Sequence, residues 1–304
     1  MSPEIKNLQQ SIKRRLLNVS RQRNEDFQFC LTLYALERFL YRLSESRYVE
    51  RFVLKGALLL MAWTDQPYRP TKDLDMLGHG DPAPAVLERI TAEICQTRVE
   101  TDGLSFDVGS IEIAEIREGQ DYQGQRIRLM ASFGNARVSM QICIAFGDVI
   151  TPASEMLEYP SLLEMPAACV RAYPKETVVS EKVQAAVRLS MQNSRMKDLY
   201  DLLWLSRLFS FDGALLVKAI RATLQKRKTE LPAQDPLFLT DAFASDQVKQ
   251  TQWQAFLRKS GISGMPVKLD TVISELHDFL IPPLKAAAVD EPFKVHWDSN
   301  GPWR

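Results

Sequence analysis

One stretch constrains this chain more than any other. Phe52-Val53-Leu54-Lys55 reads as a short strand, Gly56 ends it, and Ala57 to Trp63 is a short apolar helix. A polar loop with two prolines, Asp65 to Pro70, leads to Asp73-Leu74-Asp75-Met76-Leu77, a second strand. The order strand, glycine, helix, loop, strand gives the first half of the chain an α/β or α+β character. It also carries chemistry. Side chains at i and i+2 of a strand leave on the same face. Asp73 and Asp75 therefore aim two carboxylates at one point, while Leu74 and Met76 turn to the core.

Two carboxylates so placed repel each other unless a cation sits between them. Mg²⁺ accepts such a pair together with water and triphosphate oxygens. Gly56 permits a close backbone approach, and the helix start at Gly56-Ala57 offers N–H groups to phosphate. Read residue by residue, Asp-x-Asp is also an ordinary acidic strand start, and Gly56 an ordinary turn glycine.

Around this stretch lie a basic helix over about 4–19, then Phe27, Cys30, Leu31, Tyr34 and Phe39 at helical spacing behind Asn24 as an expected N-cap. A helix is expected over 84–96, with strands over 105–117 and 125–133 joined through Gly119 and Gly124, and another strand over 137–146. Past Pro152, Pro160, Pro166 and Pro174 the pattern turns helical, over 177–209, 212–228, 246–260 and 267–281, with an irregular tail after Pro282. The expected organisation is N-terminal helices over 1–50, a core domain over 51–160, and a mainly helical domain over 161–304, with a soft boundary between about 150 and 175.

Composition narrows the function classes. Of 304 residues, 38 are basic and 38 acidic, so a general DNA-coating protein is not expected. The four cysteines form no CxxC pair, which argues against a zinc ribbon or disulfide framework. No apolar run approaches the length of a membrane span and no signal peptide is visible, so a cytoplasmic protein without membrane contact is expected. GxSxG, HExxH and Walker-type loops are missing as well.

In the second half, Ser194, Lys197, Asp198 and Asp201 stand three or four apart and can share a helix face. Lys182 can meet phosphate as a point charge, and an aspartate can hold Lys182 or Arg195 in place or accept a proton. The bland alternative is a surface helix with ion pairs.

Taken together, the run VLKGALLLMAW…RPTKDLDML, the segment from Glu176 to Val183 and the segment from Asn193 to Leu202 resemble the AbiEii/AbiGii-type nucleotidyltransferase toxins of bacterial toxin–antitoxin and phage-abortive systems. These belong to the DNA polymerase β-like nucleotidyltransferases. The resemblance spans about half the chain. It implies an α+β fold, a small mixed sheet with flanking helices followed by a helical domain that contributes to the active-site cleft. It also implies transfer of a nucleoside monophosphate from NTP to an acceptor hydroxyl, with Mg²⁺ as cofactor. The acceptor implied is the 3′ end of tRNA, and the partner a cognate antitoxin. By that resemblance Asp73 and Asp75 are catalytic and hold the metal. Lys182 matches the triphosphate lysine, and Asp198 and Asp201 match the helix-borne acids. Gly56, Ala57, Lys182, Arg195 and Lys197 are the expected nucleotide contacts.

Two departures stand out. The family's usual Gly-Ser or Gly-Gly is Gly56-Ala57 here, which removes a possible hydroxyl contact. The third carboxylate of polymerase β-type enzymes falls at Cys143, whose neutral thiol is a poor Mg²⁺ ligand, with Asp148 beyond Gly147 as a conceivable replacement. These departures keep two alternatives open: a protein-nucleotidylating enzyme, and an inert nucleotide- or RNA-binding protein. Two basic groups, Lys6, Lys13, Arg14, Arg15, Arg21 and Arg23, and Lys218, Arg221, Lys226, Arg227 and Lys228, are candidate RNA contacts or plain solvated faces.

Overall fold

A seven-stranded mixed sheet organises the first half of the chain. The computed structural model describes residues 3–64, 69–117, 123–261, 268–289 and 291–304. In chain order the first half runs α1 (Pro3–Arg23), α2 (Phe27–Ser44), β1 (Phe52–Lys55), α3 (Gly56–Ala62), β2 (Asp73–Gly78) and α4 (Pro84–Cys95). It continues β3 (Leu104–Arg117), β4 (Gln123–Phe133), β5 (Ala136–Phe146), β6 (Glu155–Tyr159) and β7 (Ala168–Ala172). The strand order is β3-β4-β5-β2-β1-β7-β6. β2 runs parallel to β5 and antiparallel to β1, so the sheet is mixed.

Strand parity divides this sheet into two faces. Leu54, Leu74, Met76, Ile127, Leu129, Ile142 and Ile144 share one face, and all are buried. Phe106 and Phe133 lie on that face as well, and there α2 sets Phe39 and Tyr34 edge-on against them. Burying each such side chain contributes about 1.5–3 kcal/mol. α2 starts at Phe27 because Asp26, not Asn24, is its cap: the Asp26 carboxylate accepts from the Phe29 N–H at 3.0 Å. Asn24 instead takes a left-handed backbone with φ 52°. Arg42 holds Asp102 at 2.6 and 3.1 Å, and Arg38 reaches it at 3.4 Å, so a buried ion cluster ties α2 to the entry of β3.

Strands β6 and β7 replace the proline-rich connection expected from sequence. β7 pairs with β1 and carries β6 on its outer edge. The prolines of this segment lie outside the two strands, where they remove no ladder hydrogen bond. Gly119, expected to join β3 and β4, lies outside the described residues, whereas Gly124 is inside β4.

The chain divides into two compact units, Met1–Gly147 with Glu155–Ala172, and Asp148–Ser154 with Tyr173–Arg304. The second unit is helical: α5 (Lys175–Leu189), α6 (Met196–Leu208), β8 (Phe211–Asp212), α7 (Gly213–Lys226), α8 (Asp241–Ser245), α9 (Gln247–Ser260), α10 (Leu269–Val289) and β9 (His296–Trp297). The single helical stretch expected over 177–209 is interrupted. Ser190 has φ 49°, a short 3₁₀ turn follows, and the Asn193 side chain accepts from the Arg195 N–H at 2.9 Å just before α6.

The expected irregular tail after Pro282 is also corrected. α10 continues through Pro282 and Pro283 to Val289, with Leu280, Ile281, Leu284 and Ala287 buried. A helix-interior proline costs about 3 kcal/mol, partly because it has no N–H to donate. The carbonyl deprived by Pro283 is that of Phe279, four residues earlier. The Trp303 indole N–H donates to this carbonyl at 3.0 Å, so the C-terminal tail supplies the bond that the proline cannot.

Candidate active site

The face of the sheet opposite α2 is polar, and it carries Asp73 and Asp75. Both residues are half-buried, alternating with the buried Leu74 and Met76. Register across four strands sets their neighbours. Asp75 pairs with Lys55 of β1 on one side and with Cys143 of β5 on the other, and Cys143 in turn pairs with Arg126 of β4. The next row runs Asp73, Gln141, Arg128. Directly paired residues project on the same face. Two carboxylates, a thiol, an amide and the cations Lys55, Arg126 and Arg128 therefore share one surface.

Gly56 is where β1 turns into α3, and its φ of 74° suits glycine. A Cβ there would also stand 2.7 Å from the Asp75 Cβ. Glycine at 56 thus gives the Asp75 side chain its room. Ala57, in the first turn of α3, is buried.

Cys143 lies directly beside Asp75, where a third carboxylate is expected. Burial pushes its thiol up from the ordinary cysteine range, and the negative charge of Asp75 pushes it the same way, while Arg126 opposes the shift. The thiol is therefore held neutral. Among the described residues, no group of three or more His, Cys, Asp or Glu side chains is arranged to hold a metal. Two carboxylates on one face still suit a single Mg²⁺, whose remaining positions water and phosphate oxygens fill. Asp148 belongs to the second unit, where the Arg227 fork holds it through Nε and one terminal nitrogen, both at 2.9 Å. Its carboxylate serves an internal ion pair, which explains it without a metal-binding role.

The second unit has its own cluster. The Lys182 Nζ, on α5, donates to Asp198 at 2.8 Å and to Asp201 at 2.7 Å, both on α6. The side chains of Lys182, Asp198 and Asp201 are 14, 10 and 0% exposed, so the three charges are largely withdrawn from water. Arg195 approaches the other oxygen of Asp198 at 4.0 Å. The helix face expected to unite Ser194, Lys197, Asp198 and Asp201 is only partly formed. Ser194 precedes α6, and Lys197 is exposed while both aspartates are buried.

The second basic group also divides. Arg227 is engaged by Asp148 and Glu181, and Arg221 donates to the carbonyls of Ala286 and Ala287, whereas Lys218, Lys226 and Lys228 are exposed. Of the first group, Lys13, Arg14, Arg21 and Arg23 are exposed, and the Arg15 guanidinium donates to the Leu163 carbonyl.

Arg126 was not among the sequence candidates. The alternation of Gly124, Arg126 and Arg128 shows that they share a face, but only the pairing of β4 with β5 shows which face it is.

Comparison with known proteins decides the family. The sequence profile described as "Nucleotidyl transferase AbiEii toxin, Type IV TA system" matches residues 38–279, well over half of the chain. The chain belongs to the AbiEii family. Both the Asp73/Asp75 face and the Lys182 cluster fall inside the matched region. Two Helicobacter pylori structures resemble this AbiEii member. One is JHP933, with a TM-score of 0.42 and 14% identity over 84% of this chain and 96% of its own. The other is described as a candidate nucleotidyltransferase, with a TM-score of 0.41 and 13% identity over 93% of this chain and 98% of its own. No curated protein matches the sequence. No described helix is long and apolar enough to cross a membrane.

Proposed function

We propose that this AbiEii nucleotidyltransferase moves a nucleoside monophosphate from NTP to the 3′ hydroxyl of tRNA, with Asp73 and Asp75 at the reacting centre. The observation that carries this reading is the paired placement of two half-buried carboxylates on the polar sheet face, with Gly56 leaving Asp75 its space. In the reaction the acceptor oxygen bonds to the α-phosphorus, the bond to the β-phosphate bridging oxygen breaks, and pyrophosphate leaves. Asp73 and Asp75 would hold Mg²⁺, which when bound supplies positive charge to the triphosphate oxygens. The carboxylates fix where the triphosphate rests, and such transfer depends mainly on alignment and electrostatics.

Lys182 is assigned to the triphosphate as a point charge. Asp198 and Asp201 position its ammonium through the two bonds already formed. The exposed cations of α1 are the proposed RNA contacts, together with Lys218, Lys226 and Lys228. Membership of a type IV toxin family supports an antitoxin as the biological partner.

A second reading, an inert nucleotide- or RNA-binding protein, is favoured by one observation: the thiol of Cys143 beside Asp75. The test is to incubate the protein with Mg²⁺, total tRNA and each α-labelled NTP, beside Asp73→Asn/Asp75→Asn. Label on tRNA that the variant lacks supports the proposal. Label on protein replaces tRNA with a protein acceptor, and NTP binding without any labelled acceptor favours the inert reading.

A further inference from the structure

The polar sheet face contains a cation for which the two-carboxylate account has no use. Arg126 stands on β4 directly opposite Cys143, one strand further from Asp75. Its Nε is buried, and no hydrogen-bond acceptor reaches it. An unsatisfied buried donor costs about 1–3 kcal/mol, and more when the group is charged. A guanidinium retained on these terms, beside two carboxylates proposed to bind a triphosphate, is accounted for if an acceptor arrives with the ligand.

The residue at 143 decides whether Arg126 is available. A carboxylate there would face the guanidinium across a direct strand pair. Arginine and carboxylate would then form a two-bonded ion pair and cancel each other's charge. The thiol leaves that charge in place: the sulfur that pairs across the ladder with Arg126 is uncharged in its ordinary protonated form and a weak acceptor. The departure at Cys143 and the open donor at Arg126 are thus two aspects of one arrangement. Where a third carboxylate would add negative charge to the face, this chain presents a positive one. A planar guanidinium matches a pair of phosphate oxygens better than it matches any other part of a nucleotide.

We propose that Arg126 is a phosphate-binding residue of this site, gripping the triphosphate of the bound NTP with the fork that Cys143 leaves uncancelled. This inference rests on the nucleotidyltransferase reading. It adds one guanidinium to the two carboxylates of the site, and it gives the cysteine a purpose.

Binding tests it without turnover. The full-length protein is titrated by calorimetry with each of the four NTPs and with the matching monophosphates, in EDTA buffer and again with Mg²⁺. Arg126→Gln is expected to weaken NTP binding by about ten- to a hundredfold, the size of a lost charge-assisted contact, and to leave monophosphate binding nearly unchanged. Arg126→Lys should recover part of the loss. Cys143→Asp, a substitution of similar size, should weaken NTP binding in EDTA buffer as Arg126→Gln does, since the new carboxylate engages the guanidinium. This second variant decides the matter if Arg126→Gln folds poorly. NTP affinity unchanged in Arg126→Gln and Cys143→Asp would overturn the inference while the nucleotide site stands. Equal loss of triphosphate and monophosphate binding would also overturn it, by making Arg126 structural. A native protein that binds no NTP in either buffer would overturn the nucleotidyltransferase reading itself.

Discussion

The two charged clusters of this protein are built on opposite principles. On the sheet, Asp73 and Asp75 lie half-buried, Asp75 between Lys55 and the Cys143 thiol and Asp73 beside Gln141, on strands joined by the ladder. On the helices, Asp198 and Asp201 are buried and already joined by one lysine. The first arrangement sets two carboxylates on one face, a pair that suits a bound cation. The second already binds its two carboxylates to one ammonium. On the proposed function, the first is a surface for a ligand and the second an element that holds one side chain still.

The largest effect expected from that contrast is on the sheet. Asp73→Asn/Asp75→Asn should lower nucleotide transfer by about a thousandfold or more, the scale of losing a main electrostatic contribution to the transition state. Its unfolding temperature should stay close to that of the native protein, as measured by circular dichroism. Substantial loss of stability would make these residues part of the frame.

The helical cluster should respond in the reverse sense. Lys182→Met removes the cation shared by two buried carboxylates, and the cost of breaking a buried pair is about 3–5 kcal/mol. Denaturant unfolding should therefore show a large loss. Adding Asp201→Asn, which removes the more buried of the two negative charges, should restore part of it. A Lys182→Met protein as stable as the native one would contradict a stabilising role for these two bonds.

Gly56→Ala tests the joint between β1 and α3. Left-handed backbone at a residue other than glycine costs about 1–3 kcal/mol, and the added methyl meets Asp75. Activity should fall further than stability, because the carboxylate has to move. Equal stability and activity would show that Asp75 does not depend on the missing side chain.

The smallest effect concerns Cys143. Its thiol titrates above the ordinary range, so less of it is thiolate at a given pH and alkylation shifts to higher pH. In iodoacetamide labelling near pH 8, the exposed Cys169 should react first and Cys143 slowly. Asp75→Asn removes a charge that raises the Cys143 pKa, and should speed its modification a few-fold. No change would place Asp75 away from the thiol.

How much of this was legible in the sequence follows from the range of each interaction. Strand parity is local, so the shared face of Asp73 and Asp75 was visible in five residues. The spacing of Asp198 and Asp201 was equally local. The pairing of Asp75 with Cys143 joins residues far apart in the chain through a parallel ladder, and no local pattern encodes it. Arg126 escaped notice for the same reason. β6 and β7 were hidden because their prolines read as connection, although all of them lie outside the strands. The continuation of α10 was hidden because Trp303, twenty residues beyond Pro283, provides the bond that a proline forfeits.

The most direct test of the central claim is to locate the metal. The protein would be crystallised with Mn²⁺ and a non-hydrolysable NTP analogue, and the anomalous signal of the ion mapped. The account predicts a manganese peak at the carboxylates of Asp73 and Asp75, with the analogue's phosphates on the same sheet face. An ion and nucleotide bound elsewhere, with both carboxylates uninvolved, would contradict it.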